Sequence, residues 1–157
     1  MERIKSFAVN HDVMGIGMYT SRVDGDITTY DVRMVIPNGG YYLSTGSAHT
    51  IEHLFATYAR NSALSDQVVY VGPMGCRTGF YLLVRDMEPE TAIRLTRESL
   101  QFVADFEGEL PGNKKIECGN YLDHDLEAAK KDVLPLLAVL QDYPIEKLVY
   151  PQADQGV

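Results

Sequence analysis

The apolar positions change period several times along the chain, and each change predicts an element. Residues 27–36 read ITTYDVRMVI, an alternating run rich in β-branched and aromatic side chains. Asp24-Gly25-Asp26 precedes it and Pro37-Asn38-Gly39-Gly40 follows, which predicts a strand between two turns. Over residues 46–62, Ile51, Leu54, Phe55 and Tyr58 recur at helical spacing, with Ser47 placed to cap the start. Residues 67–71 and 79–85 read as two strands separated by Gly72-Pro73-Met74-Gly75-Cys76, whose Gly and Pro residues forbid continuous pairing. Glu88-Pro89-Glu90 opens a second helix to about residue 106, stopped at Gly108, with Ile93, Leu95, Leu100, Phe102 and Val103 on its apolar face. Residues 110–119 are turn-rich, and Asp123 is the expected cap of a third helix over 126–140, bent near Pro135.

Strand, helix, two strands, then two helices is the order of an α+β domain, with helices packed on a mostly antiparallel sheet. No repeat, low-complexity stretch or linker divides the chain, so residues 1–157 are expected to form one compact domain.

Composition narrows the function classes. With 157 residues and 45% hydrophobic content the chain can fill a core without disulfides, which excludes disorder and a disulfide scaffold. Fourteen basic against 22 acidic residues leave a formal charge of -8, and basic residues pair only at Lys114-Lys115 and Lys130-Lys131. Such a surface repels a phosphate backbone, so no nucleic-acid partner is expected. Met1-Glu2-Arg3-Ile4-Lys5 leads into no apolar segment, and no apolar run approaches the ~18 residues of a membrane span. A cytoplasmic protein with no membrane partner is the expectation, and there Cys76 and Cys118 stay reduced, open to metal binding or catalysis.

The densest chemistry is His49-Thr50-Ile51-Glu52-His53, inside a predicted helix. Four residues of helix turn a side chain by ~400°, so His49 and His53 lie within ~40° of each other and can grip one ion. Glu52 sits too close to them to be a comfortable third ligand, but its carboxylate can serve as acid or base. A third ligand must come from elsewhere; Cys118, Cys76, His124, His11 and several carboxylates are open to that role. A thiolate with two imidazoles suits Zn or Fe(II), although a lone Cys is as readily a small buried hydrophobe. Cys76 lies on a glycine-flanked loop, where a nearby cation would favour its thiolate as proton carrier or nucleophile. Arg33 shares strand parity with core positions and so demands an anionic partner.

Taken together, these segments resemble the S-ribosylhomocysteine lyase (LuxS) family of autoinducer-2 synthesis enzymes. Ser6-Phe7 with His11 is similar to the family's opening, Tyr30-Asp31-Val32-Arg33 to its aromatic-D-[IV]-R strand, and residues 49–54 to its metal helix. Residues 73–82, PMGCRTGFYL, resemble its next segment, and Cys118-Gly119 with His124-Asp125-Leu126-Glu127 its last. The order and spacing hold over nearly the whole chain.

The resemblance implies a homodimer with active sites at the subunit interface. It implies one divalent metal per subunit on His49, His53 and Cys118, Fe(II) foremost, with Zn(II) or Co(II) compatible. Cys76 and Glu52 become the acid/base pair, and Ser6, His11 and Arg33 line the substrate pocket, with Arg33 keeping Cys76 ionised. His124 is left as structural. The implied reaction splits S-ribosylhomocysteine into homocysteine and 4,5-dihydroxy-2,3-pentanedione by carbonyl migration and β-elimination. The chain departs from the family pattern at Tyr70, where an acidic residue is usual, at Thr29 in place of a lysine, and over residues 13–26.

Two other readings share the metal motif. A small HxxEH metallohydrolase would use Glu52 as base for a zinc-bound water, but such peptidases enclose their substrate between large domains, for which 157 residues leave no room. A divergent, non-enzymatic metal-binding member of the fold would be indifferent to loss of Glu52.

Overall fold

The computed structural model describes residues 1–152. A short helix α1 (Lys5–Ala8) leads into strands β1 (Gly17–Asp24) and β2 (Ile27–Arg33). Helix α2 (Thr45–Asn61) follows, then β3 (Val68–Pro73), β4 (Gly79–Arg85) and helix α3 (Pro89–Asp105). Two short helices, α4 (Leu126–Asp132) and α5 (Leu134–Val139), and a 3₁₀ turn at Ile145–Leu148 complete the order.

The four strands pair antiparallel throughout in the order β1-β2-β4-β3, which bears out the α+β reading. Two hairpins, β1-β2 and β3-β4, join along β2 and β4, and that junction has no room to spare at its open end. There Arg33 is opposite Gly79, and a Cβ on Gly79 would stand 2.5 Å from the Val32 carbonyl oxygen. Glycine is therefore obligatory where β4 begins.

The sheet and the helices share a core of Tyr30, Val32, Phe80 and Leu82 with Ile51, Leu54 and Phe55 of α2 and Leu95 and Leu100 of α3, all buried. Each fully buried side chain of this size is worth about 1.5–3 kcal/mol over its exposed state, so this layer holds α2 in place.

Several local expectations needed adjustment. The alternating run from residue 27 pairs only to Arg33, because Met34 and Val35 both turn their amides to the Thr78 carbonyl. Helix α2 begins earlier than expected: Ser44, not Ser47, is its cap and accepts the Ser47 amide at 3.1 Å. Ser47 is instead fully buried and donates to Asp132. The last helix is capped by Asp125 rather than Asp123, and it breaks into α4 and α5 because Pro135 cannot supply an amide there. Strand β1 was not foreseen.

After α5 the chain returns to the sheet. Tyr143 donates its hydroxyl to the Met18 carbonyl at 2.8 Å and accepts the Met18 amide at 3.2 Å. Tyr150 stacks on Tyr19 of β1, ring centroids 5.1 Å apart. Among the described residues no helix is long and apolar enough to cross a membrane.

Candidate metal centre and thiol site

Two clusters of chemistry emerge, on different elements. The first surrounds α2. His49 and His53 lie one turn apart, with rings nearly perpendicular at 88° and centroids 4.5 Å apart. Each is oriented by a backbone carbonyl: His49 Nδ1 donates to Asp123 and His53 Nδ1 donates to Pro111, both at 2.8 Å. A carbonyl only accepts, so both rings carry their proton on Nδ1 and leave the Nε2 lone pair free. Cys118 brings its Sγ to 3.3 Å from His49 Nε2. Two imidazoles held by their Nδ1 atoms and one thiol are the donor set of a soft divalent ion, and this arrangement fits one.

The loop between α3 and α4 is shaped around these rings. Gly112, at φ +70°, would bring a Cβ to 3.1 Å of His53 Nδ1, so glycine keeps the Pro111 carbonyl in reach. Thr50, fully buried on α2, accepts the Asp125 amide at 3.0 Å and bonds His124 Nδ1 at 3.1 Å.

His124, one of the candidates open for the third ligand and left as structural by the family resemblance, belongs to this cluster. Its donor atom and those of His49, His53 and Cys118 all lie within 4.8 Å of one another, and its Nε2 is buried without a partner. Burial, and then the nearby His49 and His53, hold its pKa below the usual histidine value, so the ring is neutral. Its ring stacks on His49 at 4.0 Å with planes only 17° apart. The same ring is crossed with His53, at 71° and 4.8 Å between centroids, so His124 packs against both helical histidines and shares the space of their donor atoms.

Glu52 is half-buried on α2 between the two histidines in sequence. No hydrogen bond among the described residues engages its carboxylate, which leaves it free to take a proton.

The second cluster lies where β2 meets β4. Cys76 is exposed on the turn closed by the Arg77 amide and the Met74 carbonyl at 3.0 Å, with Arg77 in the left-handed region at φ 60°. Its Sγ is 3.1 Å from Thr78 Oγ1 and 4.0 Å from Arg33 Nη1. Arg33 is 2% exposed, and the anionic partner it required is Asp31, which is 1% exposed. Two parallel bonds of 3.1 and 2.6 Å join them. Burial opposes the charge on Arg33, but Asp31 and then Cys76 outweigh it and its pKa is raised, so a permanent cation stands beside the thiol.

Ser6 and His11 fall in the N-terminal segment, hydrogen-bonded to neither cluster. Ser6 lines a separate cavity of about 470 Å³ with Arg22, Thr29, Tyr70 and Tyr81. The two positions that depart from the family pattern, Thr29 and Tyr70, thus face the same space as Ser6. His11 bonds the Val9 carbonyl at 2.9 Å.

The S-ribosylhomocysteinase (LuxS) family model matches residues 4–142. Among curated proteins, an S-ribosylhomocysteine lyase of Clostridium acetobutylicum is 46% identical over 97% of this chain and all of its own length. That of Phocaeicola vulgatus is 48% identical over 96% of this chain and 98% of its own. One from Borreliella burgdorferi retains 38% identity over 96% of the chain and its full length.

Proposed function

The chain belongs to the S-ribosylhomocysteinase (LuxS) family, and on that premise we propose that it is a carbon-sulfur lyase cleaving S-ribosylhomocysteine to homocysteine and 4,5-dihydroxy-2,3-pentanedione. The observation that carries this reading is the convergence of His49, His53 and Cys118 inside a chain matched to the family along nearly its whole length. The size and family of the chain both oppose the metallohydrolase alternative.

His49, His53 and Cys118 would hold one divalent metal, Fe(II) foremost, with Zn(II) or Co(II) compatible. When bound, the metal supplies Lewis acidity that makes the protons beside the substrate's carbonyl removable. Cys76, as thiolate beside Arg33, takes and returns protons on the sugar carbons while the carbonyl migrates from C1 to C3. Glu52 then removes the C4 proton; the electron pair left at C4 forms the new double bond as the C5–S bond breaks, and homocysteine leaves as the thiolate.

Ser6, His11 and Arg33 form the substrate pocket in this reading. A homodimer whose sites are completed across the interface belongs to the same reading, and it rests on the family membership of the chain. A cytoplasmic location fits the two reduced cysteines. The test is incubation of anaerobically prepared protein with S-ribosylhomocysteine while free thiol is followed, beside a peptide-cleavage assay. Thiol release without cleavage is expected; cleavage without thiol release overturns the reading.

A further inference from the structure

The buried Asp31-Arg33 pair has a third member that comes from the far end of the chain. Tyr150, beyond the residues matched by the family model, donates its hydroxyl to Asp31 Oδ2 at 2.7 Å, on the same oxygen that accepts Arg33 Nη2 at 2.6 Å. Arg33 in turn donates through Nη1 to Thr78 Oγ1 at 2.6 Å and faces Cys76 Sγ. We propose that Tyr150 is a positioning residue for Cys76, acting through Asp31 and Arg33: its hydroxyl fixes the Asp31 carboxylate and draws on its charge, leaving more of the Arg33 charge for the thiol.

The physical argument concerns how one carboxylate is shared. Asp31 opposes Arg33 and so weakens the positive field that Arg33 projects on Cys76. A hydroxyl donor on Oδ2 spreads the carboxylate's charge away from the guanidinium, and the low polarity around a pair this buried makes that redistribution felt. Tyr150 is suited to the role because burial first, and then Asp31, raise its pKa far above the ordinary tyrosine value, so it stays a donor. Its stack on Tyr19 fixes the ring independently of the hydroxyl.

The other ionisable groups around this site are Tyr19 of β1 and Tyr81 of β4, both with pKa raised by burial first and by Asp31 next, so neither adds charge at neutral pH. Arg77, adjacent to Cys76 in sequence, turns its guanidinium to the Leu43 carbonyl at 3.3 Å.

The inference rests on the proposed role of Cys76 only for its catalytic meaning; the positioning itself is testable without substrate. Tyr150→Phe keeps the stacked ring and removes the donor. The probe is iodoacetamide, with alkylation of the Cys76 peptide followed by mass spectrometry across pH, so that Cys118 does not interfere. The expected result is about threefold slower alkylation at neutral pH with the profile displaced to alkaline pH and the plateau unchanged. An unmoved profile, or a lowered plateau without displacement, overturns the proposal. Site-specific 3-fluorotyrosine at 150, a stronger donor of nearly the same shape, should displace the profile the other way, and settles the matter should the Phe variant fold poorly. Thiol release from S-ribosylhomocysteine is measured in parallel. A displaced alkylation profile with unchanged release would uphold the positioning and reject Cys76 as the proton carrier.

Discussion

At the residue scale, the backbone carbonyls of Asp123 and Pro111 decide which nitrogen of His49 and His53 is free, and Cys118 supplies the remaining convergent donor. Elemental analysis should therefore find Cys118→Ala depleted of metal, while Cys76→Ala keeps its metal and forms no product. Equal metal content in the two variants would reject that division of roles. His124→Ala should keep stoichiometric metal, because His49, His53 and Cys118 already make up the three protein ligands of an open catalytic site; metal loss as complete as in Cys118→Ala would make it a ligand after all. The two helical histidines were legible because i, i+4 spacing is itself a geometric statement. The contribution of Tyr150 was not. Tyr150 meets Asp31 across 119 residues of chain, and no local pattern of apolar and polar positions encodes a contact of that span.

At the element scale, period-based reading found α2, α3, the α4–α5 stretch and three of the four strands, because each buries an apolar face, and it missed the short α1, which buries none. It also missed β1, whose sequence GMYTSRVD is buried only in its first three residues and afterwards carries polar or charged side chains and one exposed valine. It also misassigned two caps, since Ser44 and Ser47, or Asp123 and Asp125, are equally good capping types and only tertiary contacts choose between them. The join between α2 and the loop bearing Cys118 depends on Thr50. Thr50→Val would take its partner from His124 Nδ1 and leave the Asp125 amide to the Gly46 carbonyl alone, at a cost of about 0.5–1.5 kcal/mol, read as a lower denaturation midpoint with weaker metal retention. Gly79→Ala forces β2 and β4 apart beside Arg33 and should lower both stability and Cys76 reactivity; a variant as stable as the parent would contradict the close approach described.

At the scale of the whole molecule, buried tyrosines set the alkaline limit of stability. Tyr143 is pushed up to about 12, by burial above all, and Tyr30 and Tyr150 are raised for the same leading reason. A raised folded-state value means the unfolded chain ionises first. Stability from these groups is whole below about pH 10 and is lost as pH rises toward 12. Urea midpoints should be level up to about pH 9.5 and fall steeply above it; a midpoint still level at pH 11 would refute this. The two tyrosines of the final segment have a consequence for synthesis as well. Tyr143 grips Met18 across 125 positions, and Tyr150 completes a charged pair made more than a hundred residues earlier. A chain emerging from the ribosome in order holds Asp31 and Arg33 without this partner until Tyr150 has itself emerged, well after the last strand. Sealing of the pair therefore follows pairing of the sheet, and a chain cut just before Tyr150 would keep all four strands with their innermost charges unsealed.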